Sequence, residues 1–251
     1  MNSHRKKSYW QQDIRKYEYL EAVGKGMLLL VSIACLFYDS AAAVIILLPF
    51  LAYYLWVWRE QCIKKKKEEF RMQFKESMTA MSSALNIGYS VENSIKEVLK
   101  DLKPLYRPES RIICEYTYMV HQLNMNVPSE VVLREFADRV DQEDVENFVT
   151  VFVTAKKAGG DSVAIIRNTV KIICDKIDVK REIQTMMAAK QFEFKVMTAV
   201  PLGIIGYMRL SFAEFMSALY GNVIGVSVMT VCLLLYAGAY WMGKRIVDIE
   251  I

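Results

Sequence analysis

Apolar and polar positions fall into long blocks along this chain. Two apolar runs, Val23–Tyr38 and Ala41–Trp58, precede a polar stretch from Arg59 to Lys195. Two more, Val196–Leu219 and Asn222–Met242, follow it. Runs of this kind predict helices that cross a hydrocarbon core. Ala41–Trp58 carries no charge and spans about 27 Å as a helix. Lys25, near the start of the first run, can snorkel. Asp39-Ser40 and Tyr220-Gly221-Asn222 predict the two outer turns. Asp39-Ser40 and Pro49 also count against one long buried helix, while Pro201 is tolerable in a membrane helix. Trp56 and Trp58 sit where an aromatic belt belongs.

The polar stretch reads as helix after helix. Phe70, Phe74, Met78, Met81 and Leu85 recur at spacings of three and four, which predicts one apolar helical stripe. Gly88 suits a C′ position and Ser90 an N-cap. The next helix presents Val91, Ile95, Val98 and Leu102. Pro104 and Pro108 delimit a loop, and a third helix presents Ile112, Tyr116, Met119 and Leu123. After a break at Asn124–Pro128, Ser129 is expected to cap a short helix through Val140. A helix from Asp144 uses Val145, Phe148, Val149 and Phe152 and stops at Gly159-Gly160. The last starts at Asp161 with Val163, Ile166, Val170, Ile173 and Ile177, a seam like that of a coiled coil. It is expected to continue through Ile183 and Met187 into the membrane. Gly88-Tyr89-Ser90-Val91 and Gly160-Asp161-Ser162-Val163 echo each other as hairpin turns.

Before the first span, His4–Glu21 reads as a basic amphipathic helix with Trp10, Ile14 and Tyr17 at helical spacing. It suits either a membrane surface or a solvated lead-in. It does not resemble a cleaved signal peptide.

Composition and charge refine this picture. The 251 residues are 53% hydrophobic and 24% charged, with a net charge of +4. The basic residues cluster beside apolar runs: Arg59, Lys64, Lys65, Lys66 and Lys67 after the second, and Lys244 and Arg245 after the last. Such residues mark the cytoplasmic side, so both termini are expected inside. Topology explains them better than nucleic acid does. Arg209 and Glu214 are charges within an apolar run, costly at depth; they suit structural accommodation or function. Gly221 and Gly225 match G-x-x-x-G, with Gly221 in the turn.

Candidate chemistry is sparse. The cysteines Cys35, Cys62, Cys114, Cys174 and Cys232 are scattered, with no C-x-x-C to suggest a metal site or disulfide framework. There is no phosphate-binding G-x-x-x-x-G-K-[ST], no H-E-x-x-H and no G-x-S-x-G. His4 and His121 are far apart. No enzymatic activity, cofactor, metal or nucleic-acid partner is therefore expected. Asp138, Asp141, Glu143, Asp144 and Glu146 form an acidic cluster. Helix capping and the helix dipole explain it; a docking surface or divalent-cation site is the alternative.

Several of these residues resemble a known family. Phe74–Leu102, with Ala84-Leu85-Asn86-Ile87-Gly88-Tyr89-Ser90-Val91 and then Ile95, is similar to the first hairpin of the type II secretion F domain. Ala155-Lys156-Lys157-Ala158-Gly159-Gly160-Asp161 resembles its second. Pro201 and Gly225 fit its closing membrane hairpin. The order of elements resembles the tight-adherence (Flp) pilus branch, the TadB and TadC proteins. The chain has room for one copy of the domain, where the larger secretion members carry two.

The resemblance implies a bacterial inner-membrane platform for a type II secretion or type IV pilus machine. Its implied partners are a cytoplasmic ATPase, a paralogous platform protein and pilin subunits, in a homo- or hetero-oligomer. The expected architecture is all-α, with two N-terminal and two C-terminal transmembrane helices flanking a cytoplasmic bundle. The expected divisions are an amphipathic segment (1–22), a membrane hairpin (23–58), the bundle (59–195, F-like over about 71–195), a second hairpin (196–243) and a cytoplasmic tail (244–251). A small transporter or channel, or a membrane-anchored signalling scaffold, are the alternatives.

Overall fold

The computed structural model describes residues 10, 16–38, 41–158, 162–212, 214 and 222–247. Among them the regular structure is helical throughout: α1 (Lys16–Tyr38), α2 (Ala41–Ile87), α3 (Val91–Leu102), α4 (Arg111–Asn124), α5 (Ser129–Val140), α6 (Glu143–Ala158), α7 (Ser162–Ser211) and α8 (Val223–Val247). They form two compact units. One comprises Met1–Ile14 and Gln61–Val179, the other Arg15–Glu60 and Lys180–Ile251. The sequence boundary at Lys195 therefore lies beyond the end of the first unit.

The first unit is a bundle built on the predicted stripes. Phe70, Phe74, Met78, Met81 and Leu85 of α2 are buried, as are Ile95, Val98 and Leu102 of α3. Ile112, Tyr116, Met119 and Leu123 of α4 join them, with Val145, Phe148, Val149 and Phe152 of α6 and Ile166, Val170, Ile173 and Ile177 of α7. Aromatic rings form the centre. Phe74 lies 6.5 Å from Phe70, 6.3 Å from Phe136 and 6.4 Å from Phe148. α3 packs on α4, α4 on α5 and α5 on α6, as short connections favour.

The turns follow from residues that accept left-handed backbone. Gly88 has φ +99°. Its N–H donates to Leu85 O (3.1 Å) and that of Tyr89 to Ala84 O (3.2 Å), the paired bonds of a Schellman stop. Ser90 then accepts the Asn93 N–H at 3.3 Å and starts α3, as its sequence position predicts. Asn126, at φ 62°, ends α4 with the same pair of bonds, to Leu123 O and Gln122 O. The cap expected of Ser129 falls one residue earlier. Pro128 holds the N-cap position, its carbonyl accepting the Val131 and Val132 N–H groups, and Ser129 is the first helical residue. Its hydroxyl instead donates to Glu92 at 2.7 Å.

The sequence reading of the N-terminal segment changes at Trp10. The ring is buried in the bundle, edge-on to Phe70 at 5.6 Å, and its Nε1 donates to Val140 O at 3.1 Å. Tyr17 is exposed and belongs to the other unit, so the two do not share one membrane-facing stripe. A ring with an apolar body and one donor suits a pocket holding a free carbonyl.

The second unit contains the apolar helices. Tyr17–Phe37 and Ile224–Val247 are long and apolar enough to cross a membrane, with mean hydropathy 1.9 and 1.7. Among the described residues these are two candidates, where four spans are expected from the sequence. The first begins before the predicted Val23 and carries a Glu21–Lys25 ion pair of 2.6 Å, one turn apart. Only 6% of the Ile224–Val247 window is buried, so its apolar surface requires an apolar solvent or partner. The unit thus suggests a membrane protein. Gly26 permits close approach of α1 to α2, since a Cβ there would lie 2.8 Å from Leu51 Cδ1. Phe194 stacks on Tyr240 at 5.6 Å, and Tyr236 Oη donates to Thr198 O at 2.7 Å.

Pro49 does not interrupt α2, which runs for 47 residues through it. The helix loses one ladder hydrogen bond there and continues on both sides. α7 likewise passes through Pro201 over 50 residues. The predicted turns at Asp39-Ser40 and Tyr220-Gly221, and the Gly159-Gly160-Asp161 motif, lie outside the described residues.

Candidate functional site

The bundle's polar residues gather at the junction of α5 and α6. Asp141 closes α5 in left-handed conformation, φ 51°, its N–H bonded to Ala137 O at 2.9 Å. Gln142 follows; its carbonyl accepts the Val145 and Glu146 N–H groups and heads α6. Its side chain Nε2 donates to Lys67 O on α2 at 2.9 Å. Together with Trp10 on Val140 O, this joins the junction to two distant segments by single hydrogen bonds.

Asp144 is the centre of charge. Its side chain is only 3% exposed and lies between Arg71 of α2 (Nε–Oδ2 3.3 Å) and Lys176 of α7 (Nζ–Oδ1 2.9 Å). Each cation holds a second carboxylate: Glu68 at 2.7 Å from Arg71, and Glu143 at 2.8 Å from Lys176. Lys75 and Asp178 add another α2–α7 ion pair. Hydrogen bonds from Lys176 to Glu143 and Asp144 hold its ammonium above the usual lysine range. Three helices are thereby tied through one buried carboxylate.

The acidic cluster read from the sequence therefore divides. Asp144 faces inward and Glu143 pairs with Lys176, while Asp138, Asp141 and Glu146 are on the surface. An inward Asp144, closed in by two cations, is not a docking residue. No group of three or more potential metal ligands occurs among the described residues.

Two further networks brace the bundle. Lys156 of α6 lies 2.8 Å from Ser129 Oγ, 3.2 Å from Glu130 and 3.4 Å from Glu92. Burial opposes ionisation of Glu92, but the Ser129 hydroxyl and Lys156 outweigh it and hold the carboxyl below its usual range. Glu115, buried on α4, meets Arg139 of α5 at 2.9 Å, and that guanidinium lies 4.4 Å from the Tyr118 ring centroid. None of these contacts was legible from spacing, because each joins residues on different helices.

The remaining predicted residues are dispersed. Lys64 and Lys65 are exposed on α2, Lys66 and Lys67 half-buried, and Arg59 is 4.0 Å from Glu60. Lys244 and Arg245 close α8, Arg245 lying 5.7 Å from the Trp241 ring centroid. Arg209 donates to the Cys35 carbonyl, and Glu214 is exposed. Pro201 and Gly225 are inside helices. His121 is exposed on α4. The five cysteines are free thiols, with Cys174 half-buried and pushed up by burial.

Charges joined in this way hold helices in register. The bundle is thus a braced, charged body, and α2 and α7 are the helices it shares with the apolar unit. No protein-family model, curated protein or solved structure matches this chain.

Proposed function

We propose that this chain is a non-enzymatic inner-membrane platform of a type II secretion-like or tight-adherence pilus machine. The observation that carries the reading is the passage of two unbroken helices, α2 and α7, from a charged bundle into apolar segments. The resemblance of Phe74–Leu102 and Ala155–Asp161 to the F domain supports it. In this reading the chain crosses the membrane four times. α1 and α8 are two spans; the uncharged Ala41–Trp58 of α2 and the apolar run from Val196 supply the others. The basic residues Lys64–Lys67 and Lys244-Arg245 keep the bundle and both termini cytoplasmic.

A platform needs no chemistry of its own. A cytoplasmic ATPase drives it through the bundle, and the membrane helices meet pilin subunits and a paralogous platform protein. Arg209 serves structure, since a helix carbonyl occupies it, which removes one ground for a transport pathway. The test is affinity purification of the tagged full chain from detergent extracts of its own cells. A secretion-type ATPase that copurifies, and is lost when the bundle is disrupted, supports the reading. A homogeneous preparation with no ATPase, from cells that express one, contradicts it.

A further inference from the structure

Two opposite faces of α8 differ in what covers them. One face meets α7. Tyr236 Oη donates to Thr198 O, Tyr240 stacks on Phe194, and a Cβ on Gly243 would collide with the Phe194 ring. Tyr236, Tyr240 and Gly243 recur at spacings of four and three, one stripe of a helix. A second stripe, Val231, Leu234, Gly238, Trp241 and Arg245, recurs at spacings of three and four. At about 3.6 residues per turn the two stripes stand nearly half a turn apart. All five residues of the second are exposed, Leu234 by 65% and Trp241 by 58%.

Helix length places the two ends of the second stripe. From Ile224 to Arg245 the helix rises about 32 Å, against a hydrocarbon core of about 30 Å. With Ile224 at one boundary, Arg245 reaches the headgroup layer at the other. From Leu234 to Arg245 the rise is about 16 Å, close to the hydrocarbon depth of one leaflet. Trp241 sits at the boundary, where indole rings concentrate. The Arg245 guanidinium lies 5.7 Å from the Trp241 ring centroid, which keeps the cation on this face.

An apolar partner helix on this stripe would cover Leu234 and strand Arg245. A phospholipid satisfies both, since it presents methylenes beside Leu234 and Gly238 and phosphate oxygens at Arg245, in the order of the stripe. Arginine takes a phosphate through paired N–H groups. Lys244 stands about 100° round the helix and adds positive potential rather than a second contact. Together the two cations exceed the roughly half negative charge of the helix end. That balance disfavours a headgroup ammonium and favours a headgroup of net negative charge.

We propose that the outward face of α8 binds an anionic phospholipid, its acyl chain along Leu234 and Gly238 and its phosphate on Arg245 beside Trp241. This rests on the membrane placement within the platform reading and not on the secretion partners.

The test uses the full chain in nanodiscs of phosphatidylcholine with a minor, varied share of one brominated lipid, phosphatidylglycerol or phosphatidylcholine. The bromine is near the carboxyl end of the acyl chains, where it quenches a neighbouring indole. Trp241 is read as the difference between the chain and its Trp241→Phe variant. Brominated phosphatidylglycerol should quench Trp241 at a lower share than brominated phosphatidylcholine does. One cation at an anionic surface is worth about fivefold in affinity, so R245Q should require about fivefold more phosphatidylglycerol for the same quenching. R59Q, which removes a cation next to Trp58 of α2, should behave as the unaltered chain does. Equal quenching by the two lipids overturns the proposal, and so does a loss in R59Q as large as that in R245Q. Both results leave the membrane placement standing, because the quencher still reaches Trp241. Quenching by neither lipid, in discs that hold the chain, assigns this face to a protein surface and also overturns the proposal. A chain that stays in solution without discs or detergent ends the proposal and the membrane placement together.

Discussion

Asp144→Ala offers a sharp test of how the bundle is braced. Breaking a buried ion pair by removing one partner costs about 3–5 kcal/mol when the other charge is stranded. Here the stranding is incomplete. Arg71 and Lys176 are 21% and 35% exposed and retain Glu68 and Glu143. The expected loss therefore lies between that of a surface ion pair and that of a stranded buried charge, about 2 kcal/mol. Hydrogen exchange of the full chain in detergent reads this directly. Amides of α5 and α6 that exchange through global opening of the bundle should exchange about 30-fold faster, since about 1.4 kcal/mol is tenfold. Glu146→Gln is the control, being exposed in the same first helical turn. If the acidic residues served only the helix dipole, Asp144→Asn and Glu146→Gln would cost the same, under about 1 kcal/mol. A further check is the cycle with Arg71→Met, which should show coupling of about 1 kcal/mol or more. Exchange altered less than about threefold in Asp144→Ala, or a strictly additive cycle, would refute the hub.

Three other outcomes follow from the same geometry. Trp10→Ala removes a buried ring and leaves the Val140 carbonyl without that donor, and should destabilise the bundle by about 3–5 kcal/mol; Trp10→Phe should cost less, and unchanged exchange in α5 would contradict the insertion. Gly88→Ala meets no atom within 4 Å, so its cost is that of the left-handed backbone alone, about 1–2 kcal/mol by exchange in α2 and α3; no loss would contradict the turn. Glu92 titrates below its ordinary value, so its contribution is complete above pH 4.5 and fades as pH falls through the lowered folded value; Glu92→Gln should flatten the acid limb of bundle stability, and an unchanged limb would contradict the network.

The core was legible because its signal is periodic. Phe70 through Leu85 repeat at helical spacing, and Gly88-Tyr89-Ser90 names a stop and a start by turn chemistry alone. Where reading failed, the cause was contact between distant segments. Asp144 looks like any acidic residue in a first helical turn until Arg71 and Lys176 arrive from other helices. Trp10 beside lysines reads as part of an interfacial or a solvated segment, yet a pocket 130 residues away holds it. Ser129 moved by one residue because Pro128, lacking an N–H, occupies the cap at no loss of a donor.

The central claim is that the bundle lies on the cytoplasmic side of a bilayer, held there by apolar helices. Cys114 is exposed on α4 and reports on it directly. In spheroplasts carrying a chain whose other four cysteines are replaced by serine, a membrane-impermeant maleimide should leave Cys114 unlabelled until the membrane is permeabilised. Labelling of Cys114 in sealed spheroplasts would contradict the account.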